Sequence, residues 1–198
     1  MKARIFSRWL AVGLVLAALL PGGEAAAQGT RPPQRGKPPA PAPAPAPSAP
    51  ASNHLGDAQG WSAFADPDRG GKVCYLVGRP VKSEPSGLKR GDVYVYVTHR
   101  SADKSYNVVS FTAGYPYREG SEVELVIDTQ RFSLFTNKKT AWARDAETEK
   151  TIVEAMTKGR QAVVRGTSTR GTVTTDTYSL AGFSQVLGLI DKACGYKR

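Results

Sequence analysis

Short segments in which apolar and polar residues alternate, separated by turn-forming residues, constrain the fold of this chain most strongly. In the clearest segment, residues 93–97, three valines share one face of an extended chain and two tyrosines share the other. Turn-forming residues break the chain between such segments, as at residues 84–87 and 119–121. Because no helix separates these segments, we predict a mainly β (α+β) domain, built as an antiparallel β-sandwich or barrel. The other predicted strands are residues 72–77, 107–113, 123–128, 131–135 and 140–143.

Two short helices are predicted near the C-terminus. The first follows Asp145, a residue type favoured at the N-cap, and stops at Gly159. The second is expected to begin near Ser179 and to run to about Ala193, with one apolar stripe along its length. A hairpin within residues 161–178 is predicted between the two helices.

The N-terminus predicts export. A basic head (Lys2, Arg4 and Arg8) precedes an apolar run over residues 9–20, and small residues follow a Pro-Gly-Gly break. This pattern is typical of a cleaved Sec-type signal peptide, here residues 1–27. The alternative is an uncleaved anchor, although the run is short for the ~30 Å of a bilayer core. We expect a periplasmic or secreted, surface-located protein that is not an integral membrane protein after cleavage.

Composition divides the remaining chain into a spacer and one domain. Residues 28–53 are rich in Pro and Ala, which predicts an extended, disordered linker. Residues 54–198 form the predicted β domain, which is long enough for a core of its own. That domain carries 21 Lys and Arg against 16 Asp and Glu. A modest positive charge of this kind favours anionic envelope surfaces, and it is too diffuse to indicate nucleic acid as a partner.

The chain has two cysteines, Cys74 and Cys194. An even number of cysteines in an oxidising compartment predicts a disulfide between them. Cys194 falls on the apolar stripe of the second predicted helix, which would bring it against the sheet that contains Cys74. Two unpaired buried thiols are the alternative.

No pattern for catalysis, metal binding or cofactor binding emerges. His99 follows a predicted strand and is interpreted as a strand-end surface residue, because the partners of a histidine metal site are missing. Ser101 and Lys104 have the SxxK spacing of penicillin-interacting enzymes but fall in a loop rather than on a helix. Glu122 and Glu124 have the residue type of glycosidase acids, yet their alternation with apolar residues is typical of a solvated strand face. We therefore predict no catalytic, metal or cofactor-binding residue.

Tyrosine and arginine side chains supply the candidate binding surface. Both residue types give large contact areas at low entropic cost. The unknown partner would be a protein or a glycan of the envelope or of a host surface. Alternatively, some of these rings belong to the core. The candidate partner-binding residues are Tyr94, Tyr96, Arg100, Tyr115, Tyr117 and Arg118.

Several sequence blocks in fixed order resemble the invasion-associated locus B family of exported alphaproteobacterial proteins. The resemblance begins with AGYPYREGSEV at residues 113–123 and continues through FSLF, AWA and VEAM, with Lys158-Gly159 after it. It ends with GTSTRGT at residues 166–172, TDTYSL at 175–180 and Gly182-Phe183. It covers roughly residues 61–190 and leaves out the Pro/Ala-rich spacer.

The resemblance implies an exported β-rich domain in a family named for host-cell entry, with no catalytic residues to carry over. Together with the signal and the spacer, it favours a non-enzymatic envelope protein that binds a protein or glycan partner. An exported hydrolase acting on cell-wall or host polymer is the alternative. A purely structural envelope protein is a third hypothesis. A cleft with two carboxylates ~5–10 Å apart, one with a perturbed pKa, would favour the hydrolase.

Overall fold

The computed structural model describes residues 53–198, which contain eleven strands and two helices. The predicted signal peptide, and the predicted linker up to residue 52, lie outside the described residues. The elements in chain order are β1 (Asn53–Ala58), β2 (Trp61–Asp68), β3 (Gly71–Gly78), β4 (Lys82–Glu84), β5 (Tyr94–Arg100), β6 (Ser105–Thr112), β7 (Glu122–Ile127), β8 (Gln130–Asn137), β9 (Thr140–Trp142), α1 (Ala146–Lys158), β10 (Gln161–Thr167), β11 (Val173–Ser179) and α2 (Phe183–Cys194).

All eleven strands belong to one antiparallel sheet, in the order β1-β2-β3-β5-β6-β9-β8-β7-β10-β11-β4. The mainly β prediction is confirmed, but the prediction of a sandwich or barrel is corrected to a single open sheet with β1 and β4 at its edges. The short strand β9 is the reason, because it pairs with both β6 and β8 and so joins two sets of strands that would otherwise be separate sheets.

The sheet bends strongly, so that its two halves face each other across a common core. The rings of Phe111 in β6 and Tyr178 in β11 have centroids 6.1 Å apart. Five strand-to-strand steps separate these residues in the sheet order, which would place them about 24 Å apart in a flat sheet. Both rings are fully buried. The bend therefore gives a single sheet the layered core that the alternating pattern predicted.

The two helices contribute buried side chains to the core. Helix α1, which lies between β9 and β10, packs on β6, and helix α2 at the C-terminus packs on β1, β2 and β3. The largest fully buried side chains are Tyr178, Phe111, Phe183, Leu76, Leu125, Ile127, Leu134, Ile152, Met156, Leu187, Ile190 and His99. Within residues 53–198, neither helix has the length and apolar character that a membrane span requires.

Local sequence signals explain where α1 begins and ends. The Asp145 side chain accepts hydrogen bonds from the Thr148 amide at 2.8 Å and from the Thr148 hydroxyl at 2.9 Å. Glu147 in the first turn places a negative charge near the positive end of the helix dipole. At the other end, the amide of Gly159 donates to the Ala155 carbonyl at 2.8 Å. The predicted limits of this helix are confirmed.

Helix α2 begins at Phe183, four residues later than predicted. Ser179 is the last residue of β11, and the chain then turns through Gly182, whose φ of 82° is left-handed. A Cβ at this position would lie 2.5 Å from the Ala58 carbonyl oxygen, so the close approach of β1 also requires glycine. The apolar stripe continues past this turn, which is why periodicity alone placed the helix start too early.

The disulfide between Cys74 and Cys194 is confirmed, with Cα atoms 6.0 Å apart. It joins β3 to the last residue of α2 and thus fixes the C-terminal helix to the sheet. Strands β1, β2 and β4 were not predicted from the sequence. Asn53, the last residue of the predicted linker, is the first residue of β1.

Candidate functional site

Five rings form a continuous aromatic strip on the outer face of β1, β2, β3 and β5. The strip runs from His54 through Phe64, Tyr75 and Tyr96 to Tyr94. Successive ring centroids are 5.3, 5.3, 6.4 and 5.8 Å apart, and the rings of Phe64 and Tyr75 are stacked. Four of the five rings are half-buried and His54 is exposed. Such an arrangement presents a large amphipathic surface to solvent.

Strand alternation explains why these rings share one face. In β2, Ala63 and Ala65 point into the core, so Phe64 between them must point outward. In β5, the buried residues Val95 and Val97 leave both tyrosines on the outer face. The strand registers then align the rings, because Phe64 pairs directly with Tyr75 and with His54.

A shallow groove of about 350 Å³ lies along the strip. Arg79 closes one end of it, with its guanidinium 4.5 Å from the centroid of the Tyr94 ring and donating to the Tyr94 hydroxyl at 2.5 Å. Asp92 lies 3.8 Å from Arg79, and both side chains are well exposed. The groove is lined by Ser62, Phe64, Tyr75, Val77, Gly78, Arg79, Tyr94 and Tyr96.

Two tyrosines of the groove, Tyr75 and Tyr96, remain neutral hydrogen-bonding groups at physiological pH. Partial burial raises the pKa of Tyr75, and the carboxylate of Asp66 adds to this effect. Partial burial also raises the pKa of Tyr96, with a further contribution from Tyr94. Each phenol therefore keeps its proton and can both donate and accept a hydrogen bond.

The structure divides the six predicted partner-binding residues into separate places. Tyr94 and Tyr96 belong to the aromatic strip. Arg100 lies at the end of β5, where it pairs with Asp68 at 2.7 Å, outside the groove lining. Arg118 is exposed beside the turn before β11, and its side chain approaches Gly171.

Tyr115 and Tyr117 are largely buried rather than exposed, and neither belongs to the aromatic strip, although Tyr115 lines a different, smaller pocket. They are only 8 % and 6 % exposed, and burial raises the pKa of both. The Tyr115 hydroxyl is hydrogen-bonded to Thr174 at 2.6 Å. The Tyr117 ring fills the space over Gly166, where a Cβ would lie 2.4 Å from it. Their sequence pattern did not distinguish these rings from the exposed ones.

The sequence analysis missed Phe64, Tyr75 and Arg79. Phe64 lies in β2, a strand that was not predicted. Tyr75 lies in a predicted strand, and its alternation with the buried residues Cys74 and Leu76 could have placed it on the outer face. Arg79 follows β3 directly and has no local signal that links it to Tyr94, since the two meet only through the fold.

The prediction that His99 is a surface residue is wrong. The side chain is 0 % exposed, and its Nε2 lies 2.8 Å from the Asp191 carboxylate. Its Nδ1 accepts a hydrogen bond from the Asn107 amide at 3.0 Å, so the proton resides on Nε2 and the ring is neutral. Strand alternation is the reason for this burial, because His99 continues the inward series of Val95 and Val97.

The carboxylates considered for hydrolysis serve as surface ion-pair partners. Glu122 pairs with Arg144, and Glu124 pairs with Arg131. Hydrogen bonds, first from Ser133 and then from Arg144, lower the pKa of Glu122, whereas a general acid needs a raised one. Among residues 53–198, no three His, Cys, Asp or Glu side chains are grouped as a metal site would require.

Comparisons with known proteins identify a family by sequence and a similar fold by structure. No curated protein matches the chain. The crystal structure of invasion associated protein b from Bartonella henselae is similar over 69 % of this chain and 95 % of that chain, with a TM-score of 0.51 and 19 % sequence identity, which supports the fold alone. The sequence profile described as "Invasion associated locus B (IalB) protein" matches residues 61–191, more than half of the chain. This family is not a known enzyme family. The chain belongs to the invasion associated locus B family.

Proposed function

We propose that this protein is an exported, non-enzymatic envelope module that binds a glycan in the groove along the aromatic strip. Export rests on the N-terminal signal pattern, and we place the mature protein in the periplasm or at the cell surface. The observation that carries the binding function is the uninterrupted series of part-exposed rings across four strands. A link to invasion is part of this proposal and rests on the family description.

The dimensions of the groove favour a glycan over a protein partner. Its volume of about 350 Å³ lies near the lower end of the ~300–1,000 Å³ range of small-molecule sites. A stable protein interface would need about 800 Å² from each partner, much more than this groove offers. One or two sugar rings match its size.

The chemistry of the lining also suits a polyol. The ring of Tyr96 supplies an apolar surface for the C–H face of a sugar, whereas Ser62 and the phenol hydroxyls supply donors and acceptors. Arg79 adds a cationic donor at one end. A site with apolar walls and a few convergent polar groups is typical of small-ligand recognition.

The non-enzymatic part of the proposal is supported by the state of the acidic residues. A retaining or inverting glycosidase needs one carboxylic acid held protonated near a second carboxylate. The groove lining contains no carboxylate. Glu122 and Glu124, the pair considered for this role, lie on β7 and are held by arginines.

A glycan-array screen followed by calorimetric titration tests the proposal. The full chain, purified from its exporting host, should bind at least one glycan class. Phe64→Ala and Tyr96→Ala should each weaken binding about fivefold or more, because each removes one stacking surface worth about 1 kcal/mol or more. Phe135→Ala is the matched control, since Phe135 is a half-buried ring on the outer face of β8, away from the groove.

The proposal is contradicted if no glycan binds, or if the Phe64 and Tyr96 variants bind as tightly as the Phe135 variant. Near-ultraviolet circular dichroism of each variant verifies that the fold is retained. Strip-dependent capture of a defined protein, without glycan binding, would instead assign the groove to a protein partner.

A further inference from the structure

We propose that a second, separate pocket next to Arg90 binds an anionic oxygen group, a phosphate or a carboxylate. This pocket shares no residue with the groove along the aromatic strip. It has a volume of about 170 Å³ and lies where three connecting segments of the chain meet. Its lining residues are Leu88, Lys89, Arg90, Gly114, Tyr115, Pro116, Ser168, Arg170 and Thr172.

The charged residues that line the pocket are all cationic. Arg90 forms its inner wall and is neutralised by a buried ion pair with Asp176. Lys89 and Arg170 are exposed at the pocket and, within residues 53–198, neither has a carboxylate oxygen within 4.0 Å of its charged group. Two uncompensated positive charges therefore flank a small cavity, an arrangement that attracts an anion.

The inner wall is held rigidly. The Arg90 side chain is only 8 % exposed. Its Nη1 donates hydrogen bonds to the Asp176 carboxylate at 2.8 Å and to the Ala113 carbonyl at 3.0 Å. The Gly91 amide donates to the Gly114 carbonyl at 2.9 Å. The loop before β5 is thereby fixed to the segment that follows β6, so little ordering is left to occur when a ligand binds.

The third wall is fixed as well. In the turn before β11, the Thr169 amide donates to the Pro116 carbonyl at 3.0 Å. The Thr172 amide donates to the Ser168 hydroxyl oxygen at 3.1 Å, and the Gly171 amide donates to the Ser168 carbonyl at 2.9 Å. Because these amides are already used, recognition of an anion depends on the cationic side chains.

The size of the cavity limits the ligand to one charged group. Its 170 Å³ is well below the ~300 Å³ at which sites for whole drug-sized molecules begin. Arginine and lysine together bind phosphate and carboxylate oxygens through charge-assisted hydrogen bonds. The ligand is therefore a small anion, or a single anionic substituent on a larger molecule.

Titration of the isotopically labelled full chain, followed by nuclear magnetic resonance, tests the site. Inorganic phosphate and acetate are added separately at constant ionic strength, so that general screening does not change. The amides of Gly114 and Thr172 should shift along saturable curves with dissociation constants in the millimolar range or below, on the order of 4 kcal/mol of binding free energy. Saturation by phosphate alone identifies a phosphate site, and saturation by acetate identifies a carboxylate site.

The double variant Lys89→Gln/Arg170→Gln should weaken binding of the saturating anion at least tenfold. Both side chains are exposed, so the fold should be retained. Lys192→Gln is the matched control, because it removes an exposed positive charge on α2 that does not line the pocket. Shifts that stay linear for both anions, or equal affinities in the double variant and the wild type, would overturn the proposal.

Discussion

The imidazole of His99 on β5 and the carboxylate of Asp191 on α2 form a hydrogen bond of 2.8 Å inside the domain. Arg198 reinforces it from outside, donating to Asp191 at 2.6 Å and to the Asn107 side chain at 2.8 Å. The bond lies close to the disulfide, since the Cys194 sulfur is 3.7 Å from the His99 carbonyl oxygen. Helix α2 is thus joined to the sheet by both a covalent and a polar contact.

Asp191→Ala should lower the free energy of unfolding by about 2 kcal/mol. The substitution leaves the Nε2 proton of a fully buried imidazole without an acceptor, and an unsatisfied buried donor costs ~1–3 kcal/mol. Urea unfolding followed by circular dichroism measures the change. Asp103→Ala, in the exposed loop after β5, is the control and should change stability by less than about 0.5 kcal/mol. Equal losses in the two variants would contradict the expectation.

The buried ion pair between Arg90 and Asp176 should show strong coupling. The side chains are 8 % and 4 % exposed, so removing one partner leaves an uncompensated buried charge. Arg90→Ala and Asp176→Ala should each cost about 3–5 kcal/mol, and the double variant should cost clearly less than their sum. A double-mutant cycle measures this coupling.

The exposed pair of Arg131 and Glu124 provides the comparison for that cycle. Its coupling energy should be below about 1 kcal/mol, because solvent screens both charges. If the two cycles gave the same coupling energy, burial would not be the source of the strength of the Arg90–Asp176 pair.

Loss of the disulfide should lower stability by about 4 kcal/mol. The bond connects residues 120 positions apart, and the chain-entropy argument gives ~4–5 kcal/mol for a loop of that length. Guanidinium unfolding of the oxidised protein, of the reduced protein and of Cys74→Ala/Cys194→Ala measures the loss. Reductant should leave the stability of the double variant unchanged. The prediction would be refuted if the oxidised protein were no more stable than the reduced protein.

Glu149 should make the protein less stable as the pH rises from about 4.5 to about 7. Partial burial, followed by repulsion from Asp145, raises the pKa of Glu149 to about 7 in the folded state. The folded state therefore holds the proton of this carboxyl more tightly than the unfolded state does. This preference stabilises the fold fully below the ordinary pKa of about 4.5, and the stabilisation is lost as the pH rises to about 7. Because the side chain is partly exposed and solvent screens its charge, we expect a loss of only about 1 kcal/mol.

Glu149→Gln should remove this dependence, since the amide does not ionise. Denaturant midpoints of the wild type and the variant, compared between pH 5 and pH 8, isolate the contribution of one carboxyl. Glu147→Gln, in the same helical turn and exposed, is the control and should follow the wild-type profile. A wild-type profile parallel to that of the Glu149 variant would show that this residue does not cause the effect.

The strongly patterned elements were predictable from sequence. The alternation over residues 93–97 correctly placed Tyr94 and Tyr96 outside and the valines at 95 and 97 in the core. Helix α1 was predicted closely, because its N-cap and its terminal glycine act over only a few residues. Strand β4 was not predicted, since its three residues are held at the sheet edge by pairing with β11 rather than by their own pattern.

The candidate site was only half predictable. Two of its tyrosines were named, but Tyr115 and Tyr117 have the same alternating pattern and are buried. An isolated Tyr-x-Tyr segment does not reveal which side of it the core will occupy. Phe64 and Tyr75 come from other strands and join the strip through strand register.

By itself, the amino-acid sequence determined that the domain is mainly β, where α1 lies, and that its two cysteines pair. These properties follow from short-range periodicity, from local helix capping and from the even number of cysteines. Only the tertiary structure decided that the strands form one bent sheet, that His99 is buried, and that rings from four strands line one groove. The physical reason is that strand pairing joins residues far apart in the chain, and the backbone hydrogen bonds that make those pairings carry no local signature in the sequence.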